Sequence, residues 1–195
     1  MRKLIGVSLT VVIAGALMIG WSAIKDSFVK ANGVILYGDH NQIEEVLNQE
    51  KNVKEKVQYK FKIFEDGEQK IMIIDETTAN ALVNISLIKE VKEEPGTEAI
   101  KSIPRVTKGK GLLFAKETTD NIDLDGQVIQ VSYEGNKIIG DGRVYSDMFL
   151  IMNDMDWSVM KGTEKSMGII EYAKDPAKKL GEFNVEGVQL VKIIN

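Results

Sequence analysis

The chain of 195 residues contains no cysteine. Disulfide stapling, thiolate nucleophiles and a lipid-modified N-terminal cysteine are therefore all excluded, and the fold must rely on packing. There is one histidine, His40. His-based metal clusters are thus impossible, and no signature around His40 supports a Ser-His-Asp relay; it reads as a loop residue near a helix start. Arginine is scarce (Arg2, Arg105 and Arg143), and no G-x-G-x-x-G or phosphate-loop pattern occurs. The formal net charge of −4 leaves no basic surplus to neutralise phosphates, so nucleic acid is excluded as a partner.

What is present begins with LIGVSLTVVIAGALMIGWSAI, residues 4–24, which carries no charge and follows Arg2 and Lys3. As a helix these 21 residues would be roughly 31 Å long, matching a hydrocarbon core of about 30 Å. Two outcomes stand open. A retained anchor would make the chain a single-pass membrane protein with its C-terminal part outside. A signal peptide would be cleaved near Ser22, with Gly20 and Ser22 as the small residues and Ala23 beginning the secreted product. The run exceeds the usual signal core of about 7–15 residues, and Trp21 near its far end suits the lipid–water boundary. Either outcome puts the residues from about 25 onward outside the cytoplasm. The abundance of Lys, Ile and Asn matches an AT-rich bacterial coding bias.

Periodicity then predicts a mostly β fold, a β-rich α+β domain with one or two short helices, preceded by a single N-terminal hydrophobic helix. GVILYG (33–38) reads as a strand, and Ile43, Val46 and Leu47 give helical spacing near 41–51. VQYKFKIF alternates Val57, Tyr59, Phe61 and Ile63 against Gln58, Lys60 and Lys62. EDGE turns the chain into QKIMII, making a hairpin over 57–74. The words IMIIDETTANALVN (71–84) and LLFAKETTDNIDLD (112–125) share ETTxN at an offset of 41, which tilts the ambiguous stretch 82–91 toward strand. Turn formers from EEPGT (93–97) to Lys110 suggest a boundary between a first β-rich part, 25–95, and a second, 105–195, which could belong to the same domain. QVIQVSY (127–133) and KIIGDGRVY (137–145) read as a second hairpin around EGN. MFLIM (148–152) and MGIIEYA (167–173) read as strands, DPAKKLG (175–181) as a short helix and FNVEGVQLVKII (183–194) as a closing strand.

Three motifs carry candidate chemistry. NIDLDG (121–126) matches the opening of a calcium loop, making Asn121, Asp123 and Asp125 the metal candidates. Position 12 from Asn121 falls on Ser132, which cannot give the bidentate carboxylate, so the competing reading is an acidic turn entering a hairpin. Ser-x-x-Lys, which can place a base one helical turn from a nucleophile, occurs at Ser22, Ser27, Ser86 and Ser158. Context favours Ser158 with Lys161 as the catalytic candidates. Carboxylates are plentiful, but the sequence nominates no acidic pair. GDGRVYS (140–146) resembles the GD-x-R-x-x-S box of membrane-anchored type I signal peptidases. That resemblance implies a nucleophilic Ser in an S-M-x-P context just after the anchor. Here Ser27 is followed by Phe, and the one Ser-Met pair is Ser166-Met167. The competing reading is a Gly-containing bend. The Met-rich stretch 148–160 could form an interaction ridge, or core if Met148, Leu150 and Met152 face inward.

The expectation is a membrane-tethered or secreted, non-enzymatic binding or accessory protein at a bacterial cell surface. It would contact the membrane through residues 4–24, and a protein or envelope component as partner, with no cofactor. The alternatives are a membrane-anchored hydrolase using Ser/Lys or acidic residues, and a calcium-stabilised structural module.

Overall fold

The structure, a computed structural model, describes residues 30–67, 69–93 and 96–195. The apolar stretch 4–24 and its expected helix lie outside these residues. Among the described residues, no helix is long and apolar enough to cross a membrane.

Ala31–Asn195 form one compact unit. In chain order it comprises β1 (Gly33–Gly38), α1 (His40–Gln49), β2 (Val53–Asp66), β3 (Gln69–Asp75), α2 (Glu76–Asn84), β4 (Ile88–Val91), β5 (Thr97–Ala99), β6 (Lys110–Phe114) and β7 (Asn121–Leu124). It continues with β8 (Gln127–Tyr133), β9 (Lys137–Ile139), β10 (Met148–Met152), α3 (Asp154–Val159), β11 (Thr163–Tyr172), a 3-10 helix (Ala177–Glu182) and β12 (Gly187–Val191). Nine strands form one mixed sheet in the order β12-β1-β11-β2-β3-β10-β6-β8-β7, and β5-β4-β9 form a second. Strand pairing crosses the stretch between residues 95 and 105: β3 pairs with β10, and β4 with β9.

Both faces of the large sheet are covered, and period-two alternation decides what goes where. Phe61 and Ile63 of β2, Met72 and Ile74 of β3, and Phe149 and Ile151 of β10 share one core with Leu82 and Val83 of α2 and with Ile88, Ile138 and Ile139 of the small sheet. On the opposite face, Ile71, Ile73, Leu150 and Met152 pack with Met160 and Trp157, beneath and beyond α3. At the other end of that face, Val34, Leu36 and Ile170 meet Ile43 and Leu47 of α1. Burying those two side chains contributes about 1.5–3 kcal/mol each. The close seating of α1 depends on Gly168 of β11, where an added Cβ would lie 2.8 Å from Ile43.

Three expectations need correction. Residues 76–84 are helical, and the strand starts only at Ile88. The cause is local: the Asp75 carboxylate accepts from Thr78 N at 2.6 Å, capping a helix whose Ala79, Leu82 and Val83 are buried together. The matching word at 112–125 folds as strand, loop and strand, so the shared ETTxN is no structural repeat. QVIQVSY and KIIGDGRVY do not pair as a hairpin. Both edges of β8 are taken, by β6 and β7, and β9 joins β4 in the second sheet. A third α-helix, α3, was not expected inside the Met-rich stretch. Asn153 caps it by accepting from Asp156 N at 2.9 Å. Leu150 and Met152 are core, and Met148 packs against it.

Candidate functional site

Two parallel neighbours, β3 and β10, end side by side and lead into α2 and α3 on opposite faces. In open α/β sheets such a divergence leaves a crevice where ligands bind. Here it is closed by the chain's own carboxylates. Asp154 accepts from Thr77 N at 3.1 Å and from Thr77 Oγ1 at 2.6 Å. Glu76 takes Val106 N at 3.1 Å, and Asp156 takes Gly109 N at 2.6 Å.

The open site lies at one end of the large sheet, on the α2 face. A cleft of about 230 Å³ is lined by Ile63, Glu65, Lys70, Tyr145, Thr163, Lys165 and Glu186. β2 and β3 supply one wall, where Glu65 and Lys70 are cross-strand partners. The start of β11 and the residues before β12 supply the other. Lys165 is held by two carboxylates, Asp39 at 2.7 Å and Glu186 at 2.6 Å. Glu186 also accepts from the Tyr145 hydroxyl. The Tyr145 ring stacks on Tyr37 at 4.8 Å between centroids and meets Phe61 edge-on, so the cleft wall is rooted in the core. The other ring contact is the Lys70 ammonium, 4.0 Å from the centroid.

These contacts set the charges. Burial, reinforced by the hydrogen bond to Glu186, pushes the Tyr145 phenol well above its ordinary value. Hydrogen bonds to Asp39 and Glu186 raise the Lys165 ammonium. At Glu186, burial pushes upward, but the hydrogen bonds from Lys165 and Tyr145 outweigh it and hold the carboxyl below the usual range. The cleft therefore presents fixed ammonium and carboxylate groups at neutral pH.

The residues singled out by sequence lie elsewhere. Asn121 and Asp123 sit on β7, and Asp125-Gly126 form the tight turn into β8 with φ of 56° and 80°. This is the geometry of a type I′ hairpin. Asp123 Oδ1 accepts from Gly126 N at 2.7 Å, and Asp125 faces the Lys161 ammonium at 3.5 Å. Among the described residues, no group of three or more His, Asp or Glu side chains is arranged to hold a metal. Ser158 and Lys161 are turned to other partners: the Ser158 hydroxyl donates to Met155 O at 2.7 Å, and Lys161 faces Asp125. In GDGRVYS, Arg143 donates to Asp147 O, Asn136 Oδ1 and Lys137 O, which fastens a bend, and Ser146 is buried.

His40 opens α1, and its Nδ1 lies 3.2 Å from Ser166 Oγ. Gln58 Nε2 donates to His40 O at 3.2 Å, which fixes the amide orientation and directs its second N–H at Nδ1, 3.0 Å away. Ser166 has no exposed surface, so its hydroxyl cannot meet a substrate in this conformation.

No sequence signal marked the cleft. Its residues come from β2, β3, β11 and two loops, with no fixed spacing. The nearest clue was the bend at 140–146, which delivers Tyr145.

Comparison with known proteins adds one family. A family model described as an uncharacterised lipoprotein family matches residues 31–194, the compact unit almost end to end. The crystal structure of a protein from Bacillus anthracis, described as a candidate lipoprotein, superposes with a TM-score of 0.75 at 27% identity, covering 84% of this chain and 100% of that one. No curated protein matches.

Proposed function

The chain belongs to the uncharacterised lipoprotein family, and from that premise we propose that it is a membrane-associated, surface-exposed binding protein whose tether is the apolar stretch 4–24. A lipoprotein is held by a lipid on cysteine, and these 195 residues contain none. The observation that carries the reading is the uncharged run ahead of the family match. The family match begins at residue 31, and the residues before it include 21 consecutive uncharged side chains, 4–24. We take this run as a retained single-pass anchor, with residues 31–195 outside the cytoplasm, in preference to cleavage near Ser22.

The role is non-enzymatic binding of an envelope component or protein. Supporting it, the polar cleft stands at the end of the sheet remote from Ala31, since β1 runs from Gly33 toward Asp39, while Ser166, the partner of His40, has no exposed surface. The test is alkaline carbonate extraction of membranes from cells expressing the full chain. The protein should stay in the membrane pellet at its full-length mass. Release into the supernatant, or a mass short by residues 1–22, would refute retention.

A further inference from the structure

The cleft has a chemistry more specific than polarity, and an inference from it rests on the binding-protein reading above. We propose that it takes a small zwitterion of the amino-acid or short-peptide class, a ligand carrying one ammonium and one carboxylate. The two walls of the cleft are unequally paired. Lys165 makes two short bonds, and Glu186 receives both Lys165 and Tyr145. The charges of that wall are paired with one another. On the opposite wall, Lys70 and Glu65 approach only to 3.8 Å, beyond hydrogen-bond distance. Among the described residues, the Lys70 ammonium rests on the Tyr145 ring and has no acceptor within hydrogen-bond distance, so its donor hydrogens remain for a ligand. Glu65 keeps a side chain 67% exposed, with acceptor capacity to spare.

Sign then selects the ligand. A simple anion reaching Lys70 would lie against Glu65 and Glu186, and a simple cation reaching Glu65 would lie against Lys70. A zwitterion exchanges the loose Lys70–Glu65 pair for two direct bonds, its carboxylate on Lys70 and its ammonium on Glu65, with no like charges opposed. The volume of about 230 Å³ holds roughly eight waters at ~30 Å³ each, room for an amino acid or dipeptide. Exposed Thr163 adds a hydroxyl at the rim.

The experiment is calorimetric titration of the full-length chain in detergent with four probes: glycine, alanyl-alanine, acetate and ethylammonium. Saturable binding of glycine or alanyl-alanine, at least about tenfold tighter than acetate or ethylammonium, is expected. Lys70→Met and Glu65→Gln should each abolish that preference, with Lys70→Arg retaining it and an unchanged melting temperature confirming the fold. Equal binding of acetate and alanyl-alanine, saturable binding untouched by both substitutions, or no saturable binding at all would overturn the proposal. Because the titration is made in detergent, its failure leaves carbonate extraction to judge the tether by itself.

Discussion

Lys62 and Trp157 are joined twice: the Lys62 ammonium donates to Trp157 O at 2.9 Å and stands 4.8 Å from the centroid of the indole ring. The same ammonium donates to Ser158 O at 3.3 Å and Met160 O at 2.7 Å. A residue from the polar side of β2 thus closes the C-terminus of α3, satisfying carbonyls that the helix leaves open. At 7% exposure, Lys62 is part of the packing.

Replacing it should be costly. Lys62→Met keeps the stem and removes three hydrogen bonds to buried or half-buried carbonyls, so a loss of about 2–4 kcal/mol is expected. Urea unfolding followed by tryptophan fluorescence would measure it. A variant as stable as the parent would mean that α3 is capped by other means.

Ser158 and Lys161, by contrast, should tolerate change. Ser158→Ala removes a bond to a carbonyl one turn back, and Lys161→Ala an exposed ion pair, so each should alter stability by less than about 1 kcal/mol. If the pair acts in function, the double variant will lose the biological phenotype at unchanged stability; the placement of the two side chains predicts that it keeps it.

Calcium should leave the protein unmoved. Asp123 is engaged in its own hairpin turn and Asp125 faces Lys161, so neither calcium nor a chelator should shift the melting temperature. A rise with calcium would show that Asn121, Asp123 and Asp125 can be recruited as ligands.

Acid should loosen the cleft wall. The Glu186 carboxyl is held below its ordinary value, so its contribution to stability is fully present above the unfolded pKa, about 4.3, and is lost as pH falls through the lower folded value. Glu186→Gln should flatten the acid limb of a stability–pH profile below about pH 4.5. An unchanged limb would place the acid sensitivity in other carboxylates.

Much of the fold was legible in the residues because its signals are local. The alternation in VQYKFKIF placed Phe61 and Ile63 in the core, and Asp66-Gly67 marks the hairpin between β2 and β3. What escaped depends on partners distant in sequence. The 76–84 helix is decided by the Asp75 cap against a strand-like pattern, and β9 pairs with β4 because β8 is already flanked. The alternation put Gln58, Lys60 and Lys62 opposite the apolar positions of β2 and named no partners for them. In the structure, Lys62 caps α3, Lys60 pairs with Glu164 and Gln58 fixes His40. The cleft was invisible for the same reason: Lys70, Lys165 and Glu186 are brought together only by strand order.

Which side of the membrane the folded unit occupies is read directly by protease shaving of intact cells expressing the full chain. Residues 31–195 should be degraded while a cytoplasmic control survives, leaving a membrane-embedded N-terminal remnant. A full-length product that resists protease until the cells are lysed would place the unit inside and contradict the proposed tether, compartment and surface role at once.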